Sequence, residues 1–288
     1  IGSDSVKLGA AGVGGGYYAF SNAFAQIASS EDEDLDFEVK ATAGSTANIR
    51  LLSDGYVDMA IAQADLVDAA YNGTGATDKK RYRGYSAGAS LYTEACQIVV
   101  RADSGIDSLD DLQGKKISVG EEESGTQRNA EQILKMTGLV ESLVDTVNLD
   151  YVDAANELKS GQIDAFFCTA GIQTSVIEEL SKECDVKLIG IDDKCRDRLK
   201  SVYGFYTDYT IPAGTYEGQT QDVVTLGVRA VLLARDDMDE KIVEELTGLL
   251  FEHAQDIQYS IALTFQIDES EAVKNVTIPF HDGAKAYY

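Results

Sequence analysis

The chain has 288 residues, of which 44% are hydrophobic, and its formal net charge is −25 because 49 acidic residues outnumber 24 basic ones. This length and composition suit a folded protein of two ordinary domains. The charge argues against nucleic acid and anionic membranes as partners, since both are bound mainly through Lys and Arg. A small anionic ligand stays possible, because salt screens surface charge beyond about 8–10 Å. No run of apolar residues is long enough to span a bilayer.

Cysteine and histidine usage argues against a metal centre. Four cysteines occur without a CxxC pair, and His253 and His281 are the two histidines, so no zinc site of ordinary spacing can be drawn. Cys184 and Cys195 either close a small disulfide loop in an oxidising compartment or remain free thiols. The acidic run at residues 31–38 lacks the glycine and ligand alternation of an EF-hand, which favours a solvated turn. We expect no metal and no cofactor.

The first structural signal is an approximate internal repeat. "SVKLGAAGVGGGYYAFSNAFAQI" and "KKISVGEEESGTQRNAEQILKM" each predict a strand, a loop and a helix. "IRLLSDGYVDMAIAQAD" matches "ANELKSGQIDAFFCTAG", in which a helix ends at Gly55 or Gly161 and an aspartate, Asp58 or Asp164, precedes an apolar strand. Each half therefore predicts an α/β lobe with a parallel sheet.

Two apolar strands are predicted to join the lobes. They are Cys96–Gly105 and Val223–Arg235, and a helical stripe follows the second, with Ile242, Leu246 and His253 on one face. We expect residues 1–97 and 230–288 to form one discontinuous lobe and residues 98–229 the other. In such open sheets ligands bind beyond the carboxyl ends of the strands. The predicted fold is thus α/β, with two lobes, a two-strand hinge and a ligand cleft.

The glycine loop after the first strand does not match a nucleotide fingerprint. Gly12 and Gly14 fit GxGxxG, but its third glycine falls on Tyr17, and no Gly-Lys-Ser/Thr follows. A turn required only for backbone geometry is one alternative. The favoured interpretation is a carboxylate site, in which Gly14, Gly15 and Gly16 admit a ligand to the N-terminus of a helix beginning near Tyr17. Tyr17 and Tyr18 are not expected to face the core together, so one hydroxyl would point into the cleft.

Other helix starts and strand ends carry small polar residues. Ser124, Gly125 and Thr126 open a helix, with Ser124 and Gln127 resembling a capping box, and capping is compatible with ligand binding. In "ATAGSTANIRLL", Ser45 and Thr46 are N-cap candidates and Asn48 lies in the first helical turn. Gln63 ends one predicted strand, and Thr169 follows another. Buried structural roles are the alternative for each residue.

The sequence offers few combinations of residues that could carry out catalysis. No GxSxG elbow is present, and neither histidine has a nucleophile partner that the sequence identifies. We therefore expect a binding protein rather than an enzyme.

Several motifs, in this order along the chain, resemble the TAXI family, the solute receptors of tripartite ATP-independent periplasmic (TRAP) transporters. They are "GVGGGYYAFSNAFAQI", "TAGSTANIRLLSDGYVDMAIAQAD", "YNGTG", "SLYTEACQIVVRADSGIDSLDDLQGKKISVG", "SGTQRNAEQIL", "GQIDAFFCTAG", "IPAGTYEGQTQDVVTLGV" and "HDGAKAYY". The resemblance covers nearly the whole chain. Acidic residues 121–123 replace the family's small or Pro residues before Ser-Gly-Thr, and Asp282 replaces a Pro, so the cleft's electrostatics and the ligand are left open.

The resemblance implies a type II periplasmic-binding fold and a role in transport. The protein would capture a dicarboxylate, a 2-oxo acid or an acidic or amide amino acid by cleft closure and deliver it to a TRAP permease. The residues that match the family's motif positions are Tyr17, Ser45, Asn48, Gln63, Ser124, Gly125, Thr126 and Thr169.

The expected form is a monomer in the periplasm or another extracytoplasmic location, where a lipid anchor is compatible. The start at Ile1 without Met fits removal of an export signal. The receptor of an ATP-driven importer and a sensor protein are alternatives on the same fold. An enzyme on this scaffold is disfavoured.

Overall fold

The computed structural model describes residues 5–262, 264 and 267–288, and helices alternate with strands along most of the chain. In chain order the elements begin with β1 (Val6–Gly9), α1 (Gly16–Glu31), β2 (Phe37–Lys40), α2 (Ser45–Asp54), β3 (Met59–Gln63), α3 (Ala64–Asn72), β4 (Tyr85–Arg101), a 3-10 turn (Leu109–Leu112), β5 (Lys116–Ser118) and α4 (Gly125–Met136). They continue with β6 (Asp145–Val147), α5 (Tyr151–Ser160), β7 (Ala165–Ala170), α6 (Ser175–Glu183), β8 (Val186–Leu188), α7 (Asp193–Val202), β9 (Thr207–Ile211), β10 (Val223–Arg235), α8 (Glu240–Glu252), α9 (Ala254–Ser260), a second 3-10 turn (Glu269–Glu271) and α10 (Asp282–Tyr287).

The chain divides into two α/β units. Unit 1 comprises the N-terminal segment up to Gly12, Tyr17–Tyr92 and Arg229–Tyr288, and unit 2 comprises Val13–Gly16 and Thr93–Val228. Unit 1 is thus discontinuous, and both β4 and β10 contribute residues to each unit.

In unit 1 the strand order is β2-β1-β3-β10. Strand β1 runs parallel to β2 and β3, and β10 runs antiparallel to β3. The fully buried side chains of Leu8, Phe20, Phe24, Ile61 and Leu250 belong to its core.

Unit 2 repeats this plan with the order β4-β7-β5-β6. Strand β5 runs parallel to β6 and β7, β4 runs antiparallel to β7 and β8, and β9 runs antiparallel to the first part of β10. Its core has two clusters, one around Ile98, Ile117 and Ile133 and one around Phe166 and Ile177.

The observed strand boundaries agree with one sequence prediction and differ from another. The prediction for Val223–Arg235 is confirmed. The prediction of a strand over Cys96–Gly105 is wrong at both ends, because β4 runs from Tyr85 to Arg101. Nearly every residue of β4 is buried, so it lacks the alternation of a half-exposed strand, and its small residues do not look like a strand in the sequence.

The predicted internal repeat is confirmed at the level of hydrogen bonds. The Asp58 carboxylate accepts the backbone N–H of Lys7 at 2.8 Å, and the Asp58 N–H donates to the Lys7 carbonyl at 2.8 Å. In unit 2, Asp164 makes the same exchange with Lys116, at 2.9 and 2.8 Å. Each aspartate therefore fixes the register of its strand against the first parallel strand of the unit.

In each repeat an arginine binds the carboxyl end of a helix. The Arg235 guanidinium donates to the Leu52 carbonyl at the end of α2, and the Arg101 guanidinium donates to the Leu158 carbonyl at the end of α5, at 2.6 and 2.7 Å. The last carbonyls of a helix lack partners within it, and here each accepts both the arginine and the backbone N–H of the glycine that follows, Gly55 or Gly161. The adjacent glycines, Gly55 and Gly161, have φ values of +83° and +82°, which L-residues other than glycine rarely adopt.

Asn48 joins three segments of unit 1 from its position in α2. Its side-chain amide donates to the carbonyls of Ala10 and Ile61, the latter at 2.8 Å, and its side-chain oxygen accepts from Thr42 at 2.6 Å. The residue is 0% exposed, so these partners replace water entirely. Asn48 thereby holds the ends of β1 and β3 beside the start of α2.

Three further expectations concern the disulfide, membrane-spanning segments and metal ligands. Cys96, Cys168, Cys184 and Cys195 are free thiols, so Cys184 and Cys195 are not bonded to each other. No helix among the described residues has the length and apolarity that crossing a bilayer requires. Within the same residues, no group of His, Cys, Asp or Glu side chains could hold a metal ion.

The two helix-ending glycines give a matched stability prediction. Gly161→Ala should lower the free energy of unfolding by about 1–2 kcal/mol, because Ala must adopt a left-handed conformation with open space around its Cβ. Gly55→Ala should cost more, because its Cβ would lie 3.1 Å from an Arg235 nitrogen that binds Leu52. Urea unfolding of both variants measures this, and equal losses would contradict the role given to Arg235.

Replacing Asn48 should also destabilise unit 1. Asn48→Ala leaves buried carbonyls without their donor, at an expected cost of about 1–3 kcal/mol in the free energy of unfolding. Asn22→Ala, on the exposed face of α1, is the control and should cost much less. Urea titration compares the two variants. An Asn48 variant as stable as the Asn22 variant would refute the role of Asn48 in holding the ends of β1 and β3.

Candidate functional site

In unit 2, a loop leads from β5 to the N-terminus of α4, as the sequence predicts. The Ser124 hydroxyl accepts the Gln127 N–H at 3.0 Å, so Ser124 is the N-cap. The Gln127 side chain accepts from the Glu123 N–H at 3.2 Å rather than from that of Ser124, so the capping box is not reciprocal. Gly120 turns the loop with φ +88°, and a Cβ there would lie 2.9 Å from the Thr126 methyl group.

The first turn of α4 presents two backbone donors. Among the described residues, the N–H groups of Gly125 and Thr126 have no hydrogen-bond acceptor. They lie beyond the carboxyl ends of the parallel strands β5 and β7, where open α/β sheets bind their ligands. Unaccepted N–H groups and the positive end of the helix dipole favour an anion at this point.

A network of hydroxyl groups adjoins these donors. The Thr126 hydroxyl accepts the Thr169 N–H at 3.1 Å and lies 2.7 Å from the Tyr151 hydroxyl. The Thr169 hydroxyl donates to the Asn129 side chain at 2.8 Å, and Asn129 donates to the Tyr206 hydroxyl at 2.8 Å. The structure thus brings together Ser124, Gly125, Thr126 and Thr169, four of the predicted site residues.

Sequence reasoning missed Tyr151, Asn129 and Tyr206. Tyr151 follows the Asp150 cap at the start of α5, and Tyr206 lies between α7 and β9, so neither stands in a motif. Asn129 did leave a signal, since it lies three residues after Thr126 and both are buried on the same side of α4. Buried polar residues at helical spacing indicate a polar contact on that face.

The electrostatics of this cluster favour neutral side chains. Burial, followed by the charges of Cys168 and Glu94, raises the pKa of Tyr151, and burial followed by the charge of Glu94 raises the pKa of Cys168. Tyr151 and Cys168 therefore remain protonated at neutral pH. Burial and the nearby Asp150 and Asp153 raise the pKa of Glu121, the first of the acidic residues before α4.

The glycine loop in the first strand-helix segment takes the turn that its sequence predicts. Gly14 has φ +89°, and its carbonyl accepts from the Val176 N–H and the Ser175 hydroxyl, both at 3.1 Å. Gly15 and Gly16 complete the loop, and α1 begins at Gly16. The expectation that Tyr17 and Tyr18 cannot both face the core is wrong, because Tyr17 lies within the core of unit 1 and Tyr18 packs against it.

The start of α2 differs from its prediction. Gly44 is the N-cap, with φ +134°, so neither Ser45 nor Thr46 caps the helix. Ser45 is buried, and its hydroxyl accepts the Gln63 N–H at 3.1 Å, whereas Thr46 is exposed. Ser45 and Gln63 thus meet at the end of β3, close to the carbonyls that Asn48 binds.

A surface pocket of about 530 Å³ lies elsewhere in unit 2, lined by Arg101, Ala102, Asp103, Lys159, Cys184 and Asp185. None of the predicted site residues lines it. Its cations are already engaged: Lys159 pairs with Glu183 at 3.0 Å, and Arg101 donates to the Leu158 and Ile163 carbonyls at 2.7 Å. We therefore place the candidate site at α4.

Both histidines act at helix ends. The His281 ring nitrogen Nδ1 accepts the Gly283 N–H at 3.0 Å as the N-cap of α10. His253 lies where α8 meets α9, with its ring nitrogens 3.6 Å from Glu31 and 3.4 Å from Asp256. In these contacts the histidines bind a backbone N–H and lie near two carboxylates, and neither contacts a Ser or Cys side chain.

Several solved structures resemble this chain at low sequence identity. The substrate-binding protein of an amino acid ABC transporter matches at TM-score 0.55 and 18% identity, over 89% of this chain and 96% of the other. A putative L-cystine ABC transporter protein from Listeria monocytogenes matches at 0.56 and 13%, over 95% and 99%. The alkanesulfonate-binding protein SsuA from Xanthomonas axonopodis pv. citri, bound to MOPS, matches at 0.53 and 14%, over 90% and 78%.

These similarities confirm the predicted mixed α/β fold of the type II solute-binding proteins. The sequence profile of the NMT1-like family matches residues 8–288. Since that match covers nearly the whole sequence, the chain belongs to the NMT1-like family.

Proposed function

We propose that this protein is an extracytoplasmic solute-binding protein that captures a small carboxylate by closure of its two units. The ligand class comprises dicarboxylates, 2-oxo acids and acidic or amide amino acids. The residues proposed to contact the ligand or to shape its site are Gly14, Gly15, Gly16, Tyr17, Ser45, Thr46, Asn48, Gln63, Ser124, Gly125, Thr126 and Thr169. The protein releases its cargo to a membrane permease and carries out no reaction on it.

The observation that carries this proposal is the pair of unaccepted N–H groups at Gly125 and Thr126. They lie at a helix N-terminus, beyond the carboxyl ends of parallel strands and beside hydroxyl groups. A carboxylate accepts two such donors at once, and charge-assisted hydrogen bonds are stronger than neutral ones. The neutral Thr126, Tyr151 and Thr169 add no opposing charge of their own.

The roles of Ser45, Asn48 and Gln63 in this proposal are more indirect. Asn48 is committed to backbone carbonyls, and Ser45 binds the Gln63 N–H. We propose that they shape the unit 1 part of the site by fixing the ends of β1 and β3. Gly14, Gly15 and Gly16, which belong to unit 2, would supply backbone rather than side-chain contacts.

Similar folds support a binding role. The proteins named above bind or are associated with amino acids, cystine and sulfonates, which are small charged solutes. The resemblance to TAXI receptors favours a TRAP permease as the membrane partner. Those same similar folds belong to ATP-driven importers, which supports an importer receptor as the second candidate. Transport assays in vesicles with each permease type would separate the two.

Ligand binding should raise thermal stability. At a ligand concentration one hundred times Kd, binding adds about 2.7 kcal/mol to the folded state, which corresponds to a rise in Tm of several degrees. A thermal-shift screen of dicarboxylates, 2-oxo acids and amino acids should identify such a ligand, and small-angle scattering should then show a smaller radius of gyration. A panel without any shift would refute the carboxylate class, and ligand turnover seen by mass spectrometry would refute the binding role.

The Gly125 amide can be removed selectively. Gly125 is the first helical residue of α4, where proline is tolerated, and Ser124 before it has φ −93° and ψ 155°, a conformation that proline accepts. Gly125→Pro should weaken binding of the ligand found in the screen about ten- to hundredfold, because one hydrogen bond to a charged group is lost. Gly125→Ala is the matched control, since it adds a side chain but keeps the N–H.

Calorimetric titration of both variants tests this contact. Equal affinities of the Pro and Ala variants would show that the Gly125 N–H does not bind the ligand. Far-ultraviolet circular dichroism of each variant confirms that α4 remains folded.

A further inference from the structure

A short run of basic residues occurs in this otherwise acidic chain. Residues 79–83 read "KKRYR", so four of the 24 basic residues lie within five positions. Together with the preceding Asp78, these four cations give a local net charge of +3, whereas the whole chain has −25. We call residues 79–83 the basic segment. It belongs to unit 1, lies between α3 and β4, and contains none of the residues of the candidate site.

The protein does not neutralise the cations of the basic segment itself. The four cations, all exposed, are Lys79, Lys80, Arg81 and Arg83. Within the part of the chain that the structure describes, none of the four forms an ion pair with a carboxylate. By contrast, the exposed Lys159 and Lys182 lie 3.0 and 3.3 Å from glutamates of their own unit. The positive charge of the basic segment is therefore available to a partner.

Local contacts anchor the basic segment at both ends. The Asp78 carboxylate accepts the Lys80 N–H at 2.9 Å and the Tyr82 hydroxyl at 2.6 Å, and the Lys80 ammonium group lies 5.0 Å from the centre of the Tyr82 ring. The Arg83 Nε donates to the Tyr71 carbonyl in α3 at 2.8 Å, and its guanidinium lies 3.7 Å from the centre of the Tyr71 ring. An anchored segment loses less conformational entropy on binding a partner than a loose one would.

The chemistry of the basic segment suits several carboxylates presented by another chain. An arginine guanidinium binds a carboxylate through two parallel N–H groups, and a lysine ammonium group adds attraction without a fixed geometry. Five residues span at most about 17 Å, which a single small anion cannot cover but a short acidic peptide can.

An acidic peptide fits this surface better than an anionic membrane does. Salt limits the range of each charge to about 8–10 Å, so a peptide on the basic segment interacts mainly with the cations there. A lipid surface faces a whole side of the protein and also meets its acidic residues, of which the chain has 49. Buried apolar area strengthens binding at a membrane interface, but the aromatic residue of the basic segment, Tyr82, is partly buried and bound to Asp78.

We propose that the basic segment is a docking surface for an acidic segment of another protein. The inference goes beyond the proposed function, because capture of a small solute requires none of these cations. Docking through exposed ion pairs depends strongly on salt, since screening weakens each pair.

The test uses a fluorescently labelled peptide of eight glutamates as the probe. Fluorescence anisotropy follows its titration with the full chain in about 0.1 M salt, a concentration at which the screening length is about 10 Å. The protein should bind this peptide, should bind it more weakly as salt is raised, and should not bind a peptide of eight glutamines. The double variant Lys79→Gln, Arg81→Gln should weaken binding about fivefold or more, because two exposed ion pairs are lost.

A matched control separates the basic segment from the overall charge. The double variant Lys194→Gln, Arg198→Gln removes one exposed lysine and one exposed arginine from α7 of unit 2, so it changes the net charge by the same amount. It should bind the glutamate peptide as tightly as the unsubstituted protein does. Circular dichroism establishes folding, and Lys80→Gln alone, which should also weaken binding, provides a result if the first double variant does not fold.

Three results would overturn the inference. The first is the absence of binding to the glutamate peptide, and the second is an equal loss of binding in the two double variants, which would assign the effect to overall charge. The third is binding to phosphatidylglycerol vesicles without binding to the peptide, which would assign the basic segment to a lipid surface. None of these results bears on the solute site, because the thermal-shift screen tests that site separately.

Discussion

In each unit an aspartate carboxylate holds the backbone N–H of the first parallel strand, and the arrangement of the candidate site depends on this bond. Asp58 binds Lys7 and Asp164 binds Lys116, each directly after a helix that ends at a left-handed glycine. The bond sets the register of two parallel strands, and register decides where their carboxyl ends lie. The loops that follow those ends then begin the next helices, so the bond at one edge of the sheet determines the place of the helix N-termini at the other.

The polar residues near those strand ends fall into two kinds. Asn48 and Ser45 use their side chains to satisfy backbone groups of their own unit, and their burial reflects that structural work. The N–H groups of Gly125 and Thr126 belong to the backbone and face no acceptor among the described residues. A residue type that suits a ligand is therefore weak evidence by itself, because buried amides and hydroxyls are equally needed inside the protein. The bonds that each group already makes distinguish the two kinds.

Overall charge and local charge lead to different conclusions about the ligand. A net charge of −25 would disfavour an anion if charge acted at long range, yet screening confines each interaction to its neighbourhood. Close to α4 the helix N-terminus favours a carboxylate, and burial raises the pKa of the nearby Glu121, which favours its neutral form.

The sequence by itself determined the repeated β-α plan, the helix caps at Ser124, Gly55 and Gly161, and the strand over Val223–Arg235, because each has a local signature in periodicity or capping chemistry. It could not determine the full length of β4, the N-cap at Gly44 or the packing of Tyr18 against the core that contains Tyr17, which depend on neighbours distant in the chain. Only the tertiary structure brought Tyr151 and Asn129 to Thr126 and Thr169, and aligned Cys96 with Thr169 across β4 and β7. The physical reason is that capping and periodicity act within a few residues, whereas cross-strand register and burial are set when distant segments pack together.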